Sequence, residues 1–309
     1  MNLYIGTCSW ADKSLLKSRG FYSPETKTPE QRLAFYCKFF QTVEIDSSFY
    51  AIPKPETVSQ WAKWTPEGFI FHVKAYGAFT GHPISKSTLP IEVRNELSAN
   101  FTSNSFVIKN RKAIETLIPF WQKAFEPLFC AKKLFAILLQ FSPKFSFSLE
   151  RLNFLKDLKK YMNPFPISVE FRNSSWLNEI NRKTVFDFLT KESIHYVIAD
   201  EPNVSETLTI PFVPISSTDT AIFRLHGRNS QNWFKKGLEA SLRYDYDYSD
   251  EELFEFIEEA KEIAKKVKRI FVMFNNCHQT SAVKNAQRFQ ELLIGSPDLQ
   301  TRSNCSILL

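Results

Sequence analysis

The chain has 309 residues, of which 43% are hydrophobic and 23% charged, a balance that excludes a disordered or fibrous chain. With 39 Lys and Arg against 33 Asp and Glu, the formal charge is +6 and the pI about 8.9, which permits an anionic partner without demanding one. The 5 cysteines are scattered and form no C-x-x-C pair, which argues against a disulfide framework or a structural zinc site and fits a reducing compartment.

The first residues, "MNLYIGTCSW", read as a strand, not as a signal or transit peptide. No apolar run approaches the ~20 residues that span a bilayer. The expectation is a cytoplasmic protein without a membrane partner. The 30 phenylalanines point to a Phe-rich core.

Short strand-like runs alternate with helical patterns along the chain. "LYIGTCSW" (3–10) is followed by a helix over 29–40 with Pro29 in its first turn. "TVEID" (42–46) leads to a helix over 55–64, and "FIFHVKA" (69–75) to an insertion over 76–111. That insertion is rich in Ser, Asn, Thr and Gly, and its length suits a lid. A helix over 112–129 contains Pro119 and Pro127, which predict a kink or an end. "FAILLQF" (135–141), a helix over 148–162, "ISVEFR" (167–172) and a helix over 181–192 follow. "HYVIADE" (195–201) connects to "AIFRLHG" (221–227) through a polar loop, 202–220, without a helical pattern. A helix over 249–267 opens with the capping box of Ser249 and Glu252. "IFVMFNN" (270–276), a helix over 280–293 and a frayed tail over 295–309 complete the chain.

Eight strands alternating with seven helices predict an α/β fold with a parallel sheet. The count and length suit a closed (β/α)8 TIM-type barrel forming one domain over 1–294, with a doubly wound open sheet as the alternative.

Alternation assigns the faces of the barrel strands. Apolar residues should point outward under the helices, and their polar neighbours inward. This places Glu44 and Asp46, His72 and Lys74, Gln140, Ser168, Glu170 and Arg172, and Arg224, His226 and Arg228 inside. The remaining strands end in Asp200 and Glu201 and in Asn275 and Asn276. The charges gather at the C-terminal strand ends, the face that carries chemistry in such barrels. Lys74, Arg172, Arg224 and Arg228 oppose Glu44, Asp46, Glu170 and Asp200. The pattern therefore fits either paired ions closing the barrel top or a preorganised polar pocket.

The loops after the last two strands, "HGRNSQNW" and "NNCHQTSAVKNA", add a candidate anion site at Gly227–Arg228 and at the helix start near Thr280 and Ser281. The basic runs at Lys132–Lys133, Lys159–Lys160 and Lys265–Arg269 precede strands. They are expected at helix C-termini on the opposite face, where they complement helix dipoles. A single divalent metal on His72, His226 or His278 with Glu44, Asp46 or Glu170 is allowed by composition, but no H-x-H or H-x-x-x-H spacing supports it. Cys8 and Cys277 end neighbouring strands and read as ordinary thiols. No P-loop, G-x-G-x-x-G or G-x-S-x-G occurs.

The ordered motifs "YIGTCSW", "TVEIDSSFYAIPKPETVSQWAKWTPEGFIFHVKA", "VEFRNSSW", "ADEP", "FRLHGRN", "YDYDYSDEEL" and "FNNCHQTSAVKNA" resemble the successive signatures of the YecE-like family, catalogued as domain of unknown function 72. The resemblance runs over about 3–293. It implies a (β/α) barrel, likened by fold to endonuclease IV and sugar-isomerase barrels that use divalent metals, and implies no particular reaction. This sequence lacks the rich His and carboxylate ligand set of those enzymes. It also departs from the pattern at "GTCSW", where relatives resemble G-T-S-G-W. A second departure is "NNCHQ", where relatives resemble N-N-H followed by an aromatic, so that His278 is displaced by one position.

The resulting expectation is an acid/base enzyme, of hydrolase or isomerase/lyase type, acting on an anionic substrate, a phosphorylated one included. Glu44, Asp46, Glu170 and His226 form the candidate catalytic set. Lys74, Gln140, Arg172, Asp200, Arg224, Arg228, Asn275 and Asn276 form the candidate binding set. The alternative is a nucleic-acid-binding protein or an endonuclease IV-like phosphodiesterase, with Trp176, Trp233, Tyr244, Tyr246 and Tyr248 as stacking surfaces. The oligomeric state is left open.

Overall fold

In several strands apolar and polar residues alternate, which gives the sheet one face for the helices and one for the barrel interior. In the computed structural model, which describes residues 1–97, 104–108, 111–206 and 208–294, the strands and helices follow one another as expected. They are β1 (Asn2–Thr7), α1 (Lys13–Ser18), α2 (Pro29–Tyr36), β2 (Thr42–Ile45), α3 (Pro55–Trp64) and β3 (Ile70–Lys74). The insertion holds β4 (Ile84–Ser85), α4 (Ile91–Leu97) and β5 (Ser105–Phe106). Then come α5 (Arg111–Cys130), β6 (Leu134–Gln140), α6 (Leu149–Met162), β7 (Ile167–Glu170), α7 (Arg182–Lys191) and β8 (His195–Asp200). The last elements are β9 (Thr220–Leu225), α8 (Asp250–Ala264), β10 (Arg269–Phe274) and α9 (Ser281–Ile294).

The eight long strands form a closed parallel barrel in the order β1-β10-β9-β8-β7-β6-β3-β2, and β4 and β5 make a separate two-stranded ladder. This is the (β/α)8 barrel, not the open doubly wound sheet. No helix was expected between β8 and β9, and none occurs among the described residues there. Closure needs a close approach of β1 and β2, which pair at Gly6–Thr42. A Cβ on Gly6 would lie 2.1 Å from the Thr42 carbonyl oxygen, so only glycine fits there.

The outward set, including Val43, Ile45, Phe71, Val73, Ile137, Leu139, Val169, Phe171, Phe223 and Leu225, is buried against the helices. The inward set forms a separate plug of Phe135, Leu138, Val197, Ile222, Phe271 and Met273, joined by Cys8. This two-shell core fills the barrel floor, so the polar inward residues sit above it.

The helix caps follow from sequence. Thr28 with Gln31 and Ser249 with Glu252 form reciprocal capping boxes at α2 and α8. Pro119 and Pro127 are expected to kink or end α5; the helix does not end at either and runs its full 20 residues through both. Each proline costs about 3 kcal/mol in a helix interior. Burial of Leu117, Trp121, Phe125 and Leu128 on one face offsets that cost. The short α1 and the ordered elements of the insertion have no clear periodicity in the sequence. The insertion begins as core, since residues 77–80 are all buried and Phe79 packs edge-on to Trp121 at 5.6 Å. Residues 98–103 and 109–110 of the insertion, and the tail over 295–309, lie outside the described residues.

Candidate active site at the barrel mouth

Above the apolar plug, charged side chains from opposite strands meet. Arg224 of β9 reaches across the barrel axis. Its Nε and Nη2 donate to Glu44 of β2 at 2.9 and 2.6 Å, and its Nη1 donates to Glu170 of β7 at 2.6 Å and to Gln140 of β6 at 3.2 Å. Arg224, Glu44 and Glu170 are almost wholly buried. The planar fork of arginine suits such a bridge between two carboxylates. Burial raises the Glu44 carboxyl above its ordinary range despite Arg224. Burial would raise Glu170 too, but Arg172, Arg224 and His226 outweigh it and hold this group well below the usual range.

Arg172 extends the network. It donates through Nε to Glu170 and through Nη1 to Glu201, and its guanidinium lies 5.6 Å from the centre of the Trp233 ring. His226 is buried beside it. The Asn275 amide lies 2.6 Å from His226 Nδ1, and Nε2 lies 3.0 Å from Arg172 Nη2 and 3.2 Å from Glu170 Oε1. Burial, reinforced by Arg172, lowers the His226 pKa to about 3. The ring is therefore neutral near pH 7. His72 lies lower, between the rings of Phe135 and Phe271 at 4.8 and 4.6 Å, and is part of the plug.

An outer tier is closer to solvent. Lys74 Nζ donates to Asp46 at 2.7 Å and sits 4.6 Å above the Phe49 ring. Asp46 keeps 28% of its side chain exposed. Burial would lower the Lys74 pKa, yet Asp46 raises it further, so the ammonium stays charged. Phe49 contacts Tyr50 and His82. Across the mouth, Trp233 and Tyr244 pack edge to face at 5.8 Å and both approach His226.

Three expected positions differ in the structure. Arg228 does not share the barrel interior with Arg224 and His226. Gly227 takes φ +83° and turns the chain outward, so Arg228 pairs with Asp200 at 3.0 Å, Glu252 at 2.9 Å and Glu255 at 3.6 Å. This cation at the proposed anion loop is thus held by carboxylates. Asp200 also faces that rim, accepting from Tyr248 Oη at 2.6 Å, not the barrel centre. Asn276 is buried with its amide on the Tyr246 carbonyl and Asn285, away from the mouth that Asn275 reaches. Gln140 holds Arg224 and has no other side-chain partner among the described residues. Glu201 was missing from the candidate set, although counting alternate residues from inward Val197 would have found it. A cleft of about 730 Å³ opens beside the mouth, bounded by Asp200, Glu201, Pro202, Ile210, Phe212 and Arg228.

Three of the five aromatic residues proposed as stacking surfaces are buried. Trp176 is fully buried, stacked on Phe171 at 4.0 Å, and Trp233 and Tyr248 are also buried; Tyr244 and Tyr246 are partly buried. The basic runs sit on the far face as expected. Lys133 Nζ donates to the Ala62 carbonyl at 2.7 Å and to the Thr65 carbonyl at 2.6 Å, capping α3, and Lys268 and Arg269 meet Asp219. Burial pushes the thiols of Cys8 and Cys277 up, which makes them poor nucleophiles. Among the described residues, no group of three or more His, Cys, Asp or Glu is placed to hold a metal ion. The oxygens of Glu44 and Glu170 are instead engaged by arginine. No helix among the described residues is long and apolar enough to cross a membrane.

Comparison with known proteins places this architecture. The family model described as "Protein of unknown function DUF72" matches residues 4–304. The UPF0759 protein YunF of Bacillus subtilis (strain 168) is 30% identical over 294 residues, covering 94% of each chain. A DUF72 family crystal structure from Thermotoga maritima MSB8 superposes with a TM-score of 0.74 at 30% identity, over 95% of this chain and 100% of that one. Another from Enterococcus faecalis V583 gives 0.76 at 27% identity, over 94% and 95%. The chain, with its closed barrel and buried mouth network, belongs to the DUF72 family of proteins of unknown function.

Proposed function

We propose that the chain is an acid/base enzyme acting at the barrel mouth on a substrate that carries, or develops during reaction, negative charge on an oxygen. Lys74 is the observation behind this reading. Arg172, Arg224 and Arg228 each meet two or three carboxylates, whereas Lys74 meets Asp46 alone among the described residues. An ammonium has three N–H donors, so Lys74 retains capacity for a substrate oxygen. Low polarity around it strengthens that attraction. Asp46, partly exposed and 2.7 Å away, is the group in reach to take or return a proton. Glu44, Glu170, Arg224 and His226 lie beneath this pair as positioning residues.

A thermal-shift panel of phosphate monoesters and 2-hydroxycarboxylates, coupled to turnover assays on any binder, tests the reading. At least one class should raise the Tm of the wild-type chain by about 2 °C or more at large excess. Lys74→Met should lose the shift, and Asp46→Asn should keep binding while losing turnover. A panel without effect, or a shift that survives in Lys74→Met, overturns it.

A further inference from the structure

We infer that a second site, on the flank of the barrel between α3, α5 and the insertion, binds a small amphiphilic anion: a carboxylate head on a short apolar body. The inference stands apart from the oxyanion reading of Lys74.

A cleft of about 380 Å³ opens on this flank, within the size range of small-molecule sites. Three segments distant in the chain build it. Residues 52–56 run from the β2–α3 connection into the first turn of α3, residues 88–90 belong to the insertion, and Phe120 and Lys123 belong to α5. Phe120 and Lys123 are three apart in their helix, so they share a face. Leu89 of the wall is buried, whereas Ile52, Pro53, Pro90 and Phe120 keep part of their apolar surface open to water. Covering that surface favours a ligand with an apolar body.

Charge selects the head group. Lys54 and Lys123 border the cleft and are exposed, and neither meets a carboxylate among the described residues. One carboxylate lies in the lining, that of Glu56. It belongs to the first turn of α3, where the positive end of the helix offsets its charge. Two ammonium groups thus flank an apolar surface. A cation would be repelled there, and an anion without a body would leave the apolar wall unused. An amphiphilic anion engages both.

Isothermal titration of the full chain with octanoate, acetate and octylammonium tests the inference. Octanoate should bind at one equivalent per chain. Its affinity should exceed by about tenfold or more that of acetate, which lacks the body, and that of octylammonium, which reverses the head. The double variant Lys54→Glu, Lys123→Glu should weaken octanoate about tenfold, the scale of two exposed charge contacts. A control with the same change in net charge, Lys63→Glu with Lys191→Glu in the last turns of α3 and α7, should leave octanoate binding intact. Lys74→Met should leave it intact as well, which separates this site from the mouth. Absence of octanoate binding, equal affinity for acetate or octylammonium, or affinity unchanged by the Lys54 and Lys123 reversals overturns the inference. Loss of octanoate binding in Lys74→Met also overturns it, by assigning the ligand to the mouth.

Discussion

At the scale of single residues, Arg224 decides how the mouth is held. Its guanidinium is 1% exposed and bridges Glu44 and Glu170. Removing one partner of a buried ionic cluster strands the others without water. Arg224→Met should therefore destabilise the chain by about 3–5 kcal/mol in chemical denaturation. Glu44→Gln should cost less, because burial already raises that carboxyl toward its neutral form. A smaller loss for Arg224→Met than for Glu44→Gln would contradict the bridge. Alternation alone identified Arg224, Glu44, Glu170, Gln140, Arg172, Lys74 and His226 as inward. It could not assign partners, since which carboxylate meets which arginine depends on strand order around the barrel. Phe49, whose ring lies under Lys74, went unassigned because loop residues follow no such alternation.

At the scale of elements, turns redirect side chains that a strand pattern would keep in line. Gly227 sits at φ +83°, and a Cβ there would lie 2.6 Å from the Tyr246 Cβ. Gly227→Ala should cost about 1–3 kcal/mol through strain and collision. Gly81→Ala, also at positive φ but with nothing within 4 Å, should cost less, near 1 kcal/mol at most. Thermal unfolding of the two variants checks the order, and an equal loss would show that the contact with Tyr246 is unimportant. Helix starts were legible because capping is local, as at Ser249 and Glu252. The continuation of α5 through two prolines was not, because burial of its apolar face is a tertiary effect.

At the scale of the whole molecule, burial of histidine ties stability to pH. His72 and His226 are lowered to about 3, and His82 and His195 to about 4, in each case chiefly by burial. The unfolded chain titrates these groups near 6.5. Below that pH the unfolded state takes up protons that the folded state refuses, so stability falls as pH drops from about 6.5 toward 4. Glu170 acts in the same direction further down. Its lowered pKa adds stability above the unfolded value that is lost as pH falls through the folded one. Glu44 acts oppositely, since acid neutralises a charge that burial disfavours. The histidines dominate between pH 6.5 and 5, so Tm should decline steadily there. His72→Phe should flatten the decline, because His72 Nε2 is buried between two phenylalanine rings with no hydrogen-bond partner among the described residues. A Tm independent of pH over this range, or an unchanged slope in His72→Phe, would contradict it.

The sequence by itself determined the barrel, its strand phase and the polar character of its mouth, because period-two burial and helix capping are local. Only the tertiary structure decided which charges neutralise one another, that Arg228, Asp200 and Asn276 leave the centre, and that Lys74 meets a single carboxylate among the described residues. Those outcomes depend on Coulomb and hydrogen-bond contacts between residues far apart in the chain, such as Glu44 and Arg224, which meet only once the barrel closes.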